Sequence, residues 1–137
     1  MRFFLCFLLA MGPGLVQAAS AKPSTLLVVG DSLSAAHNIP EQAGWVALLG
    51  QRLSKMRPPW QVVNASISGE TSLRGRARLP ALLASRHPDL VVIELGANDG
   101  LRGLPLPALE TNLAAMVKAA RAAGARVLLL GIELPGN

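Results

Sequence analysis

Cysteine, aromatic residues and charge are all scarce in this sequence of 137 residues. The single cysteine, Cys6, lies in an apolar N-terminal stretch, so residues 7–137 offer no disulfide and no cysteine-based metal site. Charged residues make up only 15% and hydrophobic residues 51%, which excludes a disordered chain and allows one packed core. The net charge is +5, but the densest basic group, Arg74, Arg76 and Arg78, has no interleaved aromatic residue. We therefore predict a solvated helix face there and no nucleic-acid binding.

The N-terminus has the pattern of an export signal. The positively charged Arg2 precedes an apolar run over residues 3–9. Gly12-Pro13-Gly14 ends the apolar stretch, and Val16-Gln17-Ala18 has the small-residue pattern of a signal-peptidase cleavage site. The run is shorter than the ~20 residues that cross a bilayer. We predict a signal peptide over residues 1–18, a mature domain over residues 19–137, no stable membrane anchor and a periplasmic or secreted location. The alternative, a buried first helix, fits the Gly-Pro-Gly break less well.

Short apolar strands alternate with amphipathic helices along the rest of the chain. The predicted strands span residues 25–29, 61–65, 90–95 and 126–130, and the predicted helices span residues 45–57, 73–85 and 109–123. This order predicts an α/β fold, a doubly wound, flavodoxin-like parallel sheet in three α/β/α layers. Only seven residues, 131–137, follow the fourth strand. We therefore expect that a C-terminal strand and helix are missing, and that the fourth strand is an apolar sheet edge.

A hydroxyl, a glycine and an amide follow three successive strands. Ser32 follows the first strand, Gly69 the second and Asn98 the third. Sites in open parallel sheets form beyond the carboxyl ends of the strands, so these groups are expected to meet at one edge. Ser32 is expected on a strand-to-helix turn whose N–H groups face an oxyanion, while Gly69 and Asn98 supply further donors. Each motif alone is an ordinary turn, but together they predict acyl-transfer chemistry.

The same blocks resemble the SGNH (GDSL) hydrolases. The matching runs are residues 30–34 (Gly-Asp-Ser-Leu-Ser), 68–72 (Ser-Gly-Glu-Thr-Ser) and 96–100 (Gly-Ala-Asn-Asp-Gly). Residues 63–69, 77–83 and 98–103 are similar to a bacterial periplasmic subgroup of thioesterases, lysophospholipases and arylesterases.

The resemblance implies a role for individual residues. Ser32 is the nucleophile; its N–H, the Gly69 N–H and the Asn98 amide form the oxyanion hole, and Asp31 steadies the nucleophile turn. The substrate is a small acyl ester or lipid, and no metal or organic cofactor is implied. The segment 101–106 corresponds to a mobile acyl-binding loop, in which Leu101, Leu104 and Leu106 contact the acyl chain.

The family's Asp-x-x-His block is absent from this sequence. His87 precedes the third strand, about 20 Å from the site at about 3.3 Å per residue. His37 lies five residues beyond Ser32, about 7.5 Å along a helix, and is expected at the surface or rim. Without a base Ser32 is a weak nucleophile, so the chain alone is expected to be inactive.

Two functions remain open from the sequence. The first is a serine esterase or thioesterase acting on acyl-CoA thioesters, aryl esters or lysophospholipids. The second is a non-catalytic acyl or lipid binder of the same fold. A dinucleotide-binding domain is excluded, because the turn after the first strand has no Gly-x-Gly-x-x-Gly. The preferred substrate and the oligomeric state stay open.

Overall fold

A computed structural model describes residues 22–133. The predicted signal peptide at residues 1–18 lies outside the described residues. The elements are β1 (Ser24–Gly30), a short 3-10 helix (Glu41–Ala43), α1 (Trp45–Leu53), β2 (Trp60–Asn64), α2 (Ser72–Arg86), β3 (Leu90–Glu94), α3 (Ala97–Leu101), α4 (Leu106–Ala122) and β4 (Arg126–Leu129). Among the described residues, no helix is both long enough and apolar enough to cross a membrane.

The strands form one parallel sheet with the order β2-β1-β3-β4. In the register of the sheet Leu27 of β1 lies between Val63 of β2 and Val91 of β3. The chain order reverses between β1 and β3, which is the switch point where ligands bind in doubly wound sheets. The predicted fold class is therefore confirmed, and the end of β1 lies beside that of β3.

Helices cover both faces of the sheet. On one face, Leu27 and Ile93 pack against Leu79 of α2 and Met116 of α4, and all four side chains are fully buried. On the other face, Leu26, Val28 and Val92 pack against Val46 of α1. Burying one such side chain contributes roughly 1.5–3 kcal/mol, so the alternating side chains of β1 hold both helical layers to the sheet.

Two helices differ from the predicted bounds. The first was predicted over residues 45–57, yet α1 ends at Leu53, because the residues that follow, including Met56, are exposed and have no packing to hold a further turn. The last helix begins at Leu106, three residues before its predicted start, because Pro107 is compatible with a helix's first turn. Neither difference moves a strand end, so the edge that carries the site is as predicted.

The strand β4 forms one edge of the sheet within residues 22–133. Leu128 and Leu129 are 49% and 47% exposed. An apolar groove of about 360 Å³ runs beside Leu128 on the α1 face, and another of about 600 Å³ runs beside Leu129 on the α4 face. Unpaired strand groups next to exposed leucines favour association between chains.

We expect residues 19–137 to self-associate through β4. The double variant Leu128→Thr/Leu129→Thr keeps residues that suit a strand but removes the apolar contact, so it stays monomeric at higher concentrations. Sedimentation velocity across a concentration series measures the change. The control is Leu101→Thr. Leu101 is 76% exposed and lies outside β4, so its substitution removes a surface leucine without changing the sheet edge. Equal association of the double variant and the unchanged chain would contradict the prediction.

Candidate active site

Ser32 lies two residues beyond β1 in a tight turn and is partly buried. The backbone N–H of Ala35 donates to the Asp31 carbonyl oxygen at 2.9 Å, and that of His37 donates to the Ser32 carbonyl oxygen at 3.1 Å. The Leu33 N–H also donates to Asp31 Oδ1 at 3.1 Å. The turn is thus closed both by its backbone and by the side chain that precedes Ser32.

The predicted strand-to-helix turn at Ser32 is wrong in one respect. The next α-helix, α1, begins only at Trp45. Ala36 and Asn38 have φ values of 56° and 61°, and this left-handed conformation cannot continue a right-handed helix. The N–H groups near Ser32 therefore belong to a single turn, without the dipole of a long helix behind them.

Asp31 connects the turn at Ser32 to Asn98. Its side chain is fully buried, and its Oδ2 accepts a hydrogen bond from Asn98 Nδ2 at 3.1 Å. The two residues follow β1 and β3, which are neighbours in the sheet. A side-chain amide has two N–H groups, so Asn98 keeps one for another acceptor. The structure thus brings together Ser32, Asp31 and Asn98 at the predicted edge.

Gly69 lies in the loop after β2, which contacts the end of β1. The Ile67 N–H donates to the Gly30 carbonyl oxygen at 3.0 Å and holds this loop beside β1. Gly69 has a φ of 77°, a conformation that favours glycine. Its carbonyl oxygen accepts a hydrogen bond from Arg102 Nη2 at 2.8 Å, so the loop after α3 is tied to the glycine.

A buried polar cluster supports the helix that carries Asn98. Asp99 is 3% exposed and accepts hydrogen bonds from the Ser72 N–H at 2.8 Å and the Ser72 Oγ–H at 2.5 Å. Ser72 is the first residue of α2, so Asp99 caps that helix from another element. Asn112 of α4 donates to Ser72 Oγ at 3.0 Å. The sequence analysis assigned Asp99 only to a turn, and α3 itself was not predicted.

A buried ion pair fixes the residue after Gly69. Glu70 is 1% exposed, and Arg78 Nε donates to both of its carboxylate oxygens at 2.9 Å. Arg78 Nη2 also contacts the Ala65 carbonyl oxygen. The prediction that Arg74, Arg76 and Arg78 form a solvated face is therefore wrong for Arg78. Its partner, Glu70, lies eight residues earlier on a different element, so helical periodicity did not reveal the pair.

A fourth buried carboxyl, that of Glu94, lies beside the turn that carries Ser32. Glu94, the last residue of β3, is 5% exposed, and its Oε2 accepts a hydrogen bond from Ser34 Oγ at 2.6 Å. Its Oε1 is buried and has no hydrogen-bond partner among the described residues. Burial raises the pKa of Glu94, the Ser34 hydroxyl opposes this shift, and the nearby Asp31 charge adds to it.

Neither histidine contacts the Ser32 side chain through a hydrogen bond within residues 22–133. His37 is exposed, as predicted, and its backbone N–H donates to the Ser32 carbonyl oxygen at 3.1 Å. His87 is exposed at the end of α2, before β3, at the opposite edge of the sheet. The described residues also contain no group of three or more His, Cys, Asp or Glu side chains arranged to hold a metal ion.

The three leucines of the predicted acyl-binding segment do not share one cavity. Leu101 ends α3 and Leu106 begins α4, so the loop itself spans only residues 102–105. Leu101, Leu104 and Leu106 are 76%, 43% and 63% exposed. Leu104 borders a groove of about 490 Å³, while Leu106 borders a different one of about 390 Å³. Their contact with substrate stays a prediction.

Comparisons with known proteins identify the family of this chain. Residues 28–137 match the model of the GDSL-like Lipase/Acylhydrolase family. The chain belongs to this family. It is 61% identical over 123 residues to esterase TesA of Pseudomonas aeruginosa, covering 90% of this chain and 60% of that protein. It is 46% identical over 123 residues to thioesterase 1/protease 1/lysophospholipase L1 of Escherichia coli strain K12, covering 90% and 58%.

Solved structures of family members have the same fold. The crystal structure of TesA superposes with a TM-score of 0.80 at 62% identity, over 82% of this chain and 62% of that one. Esterase EstA from Pseudoalteromonas, in a structure inhibited by monoethylphosphonate, gives a TM-score of 0.78 at 47% identity, over 83% and 62%. The predicted family is confirmed, and the chain spans about 60% of the length of these relatives.

We expect Glu94→Gln to change how stability depends on pH. The pKa of Glu94 is raised above 4.5 in the folded state, so its contribution to stability is fully present below that pH. This contribution is lost as the pH rises through the folded pKa. The free energy of unfolding should therefore decline with rising pH more steeply in the unchanged protein than in Glu94→Gln.

Urea denaturation at a series of pH values measures this difference. Comparing the two proteins cancels the groups that they share, including Asp31, which faces Glu94. Glu110→Gln, at an exposed position of α4, controls for the loss of a carboxyl from the surface. If the curves for Glu94→Gln and the unchanged protein run parallel above pH 4.5, the buried carboxyl does not titrate as described.

Proposed function

We propose that this chain is the nucleophile-bearing part of an acyl-ester hydrolase in which Ser32 attacks the carbonyl carbon. The substrates belong to the class of acyl-CoA thioesters, aryl esters and lysophospholipids. The hydrogen bond from Asn98 to Asp31 is the observation that carries the proposal, because it holds an amide donor beside the turn of Ser32. Membership of the GDSL-like Lipase/Acylhydrolase family supports the same chemistry.

The proposed reaction uses the three turns together. Ser32 Oγ forms a bond to the acyl carbon, and the carbonyl oxygen becomes an oxyanion that accepts hydrogen bonds from the N–H groups of Ser32 and Gly69 and from the Asn98 amide. Each such donor contributes about 2.7–4 kcal/mol to the transition state. Collapse expels the alcohol or thiol, and water then releases the acid from the acyl-serine.

Asp31 makes the Asn98 amide a better donor by fixing its direction. One amide N–H is held by the buried Asp31 carboxyl, so the other has a defined orientation. A donor fixed before the reaction costs no reorganisation when the oxyanion forms. The Leu33 N–H bonds to the other oxygen of the same carboxyl, so the Ser32 turn and the amide are positioned by one group.

The general base is assigned to a histidine outside this sequence. No histidine side chain is hydrogen-bonded to Ser32 in residues 22–133, and a Ser nucleophile needs a base to take its proton. The relatives are longer than this chain, and we assign the base to an Asp-x-x-His block in additional sequence of that kind. We call the chain continued by such a block, from its own gene or from esterase TesA of Pseudomonas aeruginosa, the extended form.

The second candidate is a binder of acyl chains or lipids that performs no hydrolysis. The observation that favours it is the exposed position of His37, which makes no side-chain hydrogen bond to Ser32. Such a protein retains affinity for an acyl ester, but neither the chain itself nor the extended form hydrolyses it. For either function we propose export through a signal peptide over residues 1–18, as the sequence pattern predicts.

We expect Ser32→Ala to abolish hydrolysis of an aryl ester by the extended form while the fold is kept. The physical reason is that alanine removes the oxygen that is proposed to bond to the acyl carbon. Release of the phenol measures turnover, and labelling by an organophosphonate measures the reactivity of the serine. The matched control is Ser68→Ala, which removes an exposed hydroxyl beside Gly69 and should keep activity.

The same assay separates the two candidate functions. The unextended chain should be slower than the extended form by about 10²- to 10⁴-fold, the usual contribution of a general base. A folded Ser32→Ala variant of the extended form with full activity would refute the nucleophile assignment. An unchanged extended form that binds the ester but never hydrolyses it would instead support the acyl binder.

Asn98→Ala should lower kcat of the extended form by about 10²- to 10³-fold, with little change in KM, because the lost donor acts on the transition state. Steady-state kinetics on the same aryl ester separates the two constants, and thermal melting shows whether the variant is folded. A raised KM with an unchanged kcat would place Asn98 in ground-state binding instead.

A further inference from the structure

We propose that Glu94 is a positioning residue for Ser32, which it acts on through Ser34. The carboxyl of Glu94 accepts the Ser34 hydroxyl beneath the nucleophile turn and thereby fixes the turn that presents Ser32. The inference rests on the proposed role of Ser32 as nucleophile. Neither Glu94 nor Ser34 was assigned a role in the sequence analysis.

Ser34 is held from both neighbouring strands. Its hydroxyl donates to Glu94 Oε2 at 2.6 Å on the β3 side, and its carbonyl oxygen accepts from Asn64 Nδ2 at 2.8 Å on the β2 side. The residue is 1% exposed and lies two positions after Ser32. Because the intervening backbone is short, a shift of Ser34 moves Ser32 as well. The two hydrogen bonds therefore set where the nucleophile lies relative to the sheet.

Gly30 leaves the space in which this contact forms. It is the last residue of β1 and lies opposite Glu94 in the register of the sheet. A Cβ atom at Gly30 would lie 2.7 Å from Ser34 Cβ and 2.8 Å from Glu94 Oε2, closer than real Cβ contacts. Gly30 is not among the residues with a positive φ, so backbone strain does not require a glycine there. Its lack of a side chain serves the approach of Ser34 to Glu94.

The surroundings of Glu94 are unfavourable to a second negative charge beside Asp31. The Oε1 atom of Glu94 is buried without a partner in the described residues, and a charged carboxylate in that state is unfavourable. Asp31 already places one charge nearby, and its two oxygens accept hydrogen bonds from Leu33 and Asn98. A second negative charge would oppose an oxyanion forming at Ser32. Burial raises the pKa of Glu94, which favours its protonated form and reduces that repulsion.

The test compares Glu94→Gln with Glu94→Leu in the extended form. Glutamine keeps a neutral acceptor for the Ser34 hydroxyl, so kcat on an aryl ester should stay within about threefold. Leucine fills similar volume but accepts no hydrogen bond, so kcat should fall about 10- to 10²-fold at nearly constant KM, as expected when a reacting group is misplaced. Rescue by glutamine and the loss in kcat alone distinguish positioning from a general loss of stability.

Two further variants test the path through Ser34. Ser34→Ala should lower kcat as much as Glu94→Leu does. The double variant Ser34→Ala/Glu94→Leu should be no slower than either single variant, because both substitutions remove the same hydrogen bond. Val92→Ala is the control. It removes apolar packing between β3 and α1 and leaves the turn that carries Ser32 unchanged. It should lower the melting temperature and leave kcat unchanged.

Each outcome bears on the proposal. If Glu94→Leu retains kcat, if glutamine is as slow as leucine, or if the losses in the double variant add, Glu94 does not position Ser32. If Val92→Ala lowers kcat as much as Glu94→Leu does, loss of stability explains the effect and the proposal falls. An active Ser32→Ala variant overturns the proposed function together with this inference, whereas an inactive Ser32→Ala beside an unaffected Glu94→Leu overturns only the inference.

Discussion

The buried carboxyl of Asp31 is the constraint on which the geometry of this edge depends. It lies just after β1. It accepts one hydrogen bond from the Leu33 N–H in the turn that carries Ser32, and another from the side-chain amide of Asn98, which follows the neighbouring strand β3. A fully buried carboxyl is stable only when its oxygens are hydrogen-bonded. The turn after β1 and the helix after β3 are therefore not free to move apart without leaving this group unsatisfied.

The strands and the positions of the site blocks could be predicted from the sequence for a simple physical reason. Strands buried on both faces are short apolar runs, as in Leu26–Val29 of β1, and parallel pairing brings their carboxyl ends to one edge. That rule predicts that the turns carrying Ser32, Gly69 and Asn98 lie at one edge, while the roles of these residues were inferred from the family resemblance. The five residues of α3 were missed because a helix that spans only Ala97–Leu101 has too few positions to show a period.

The buried polar pairs could not be predicted in this way. Ser34 and Glu94 are 60 residues apart in the chain, and Ser72 and Asp99 are 27 apart. No local pattern joins such residues, because the pairing depends on which strand ends become neighbours. The same limit explains why Arg78 was assigned to a solvated face. Periodicity gives the direction of a side chain around its helix, but the partner Glu70 arrives on a loop from outside it.

Ser32, Gly69 and Asn98 each have a buried acid as a neighbour in the chain. Asp31 precedes Ser32, Glu70 follows Gly69, and Asp99 follows Asn98. Each acid is satisfied by a group from outside its own element: Asp31 by the Asn98 amide of α3, and both Glu70 and Asp99 by groups of α2, namely Arg78 and the Ser72 N–H.

These contacts tie the turns of the site to neighbouring elements through three buried carboxyl groups. Donors that stabilise an oxyanion are effective only when they are aimed before the charge develops. A turn alone is too mobile for this, whereas a turn whose adjacent side chain is locked in the interior keeps its N–H groups in place. The helix α2 supplies partners to two of the three acids, so its position sets the relation between Gly69 and Asn98. The buried polar groups beneath this edge thus determine the positions of Ser32, Gly69 and Asn98.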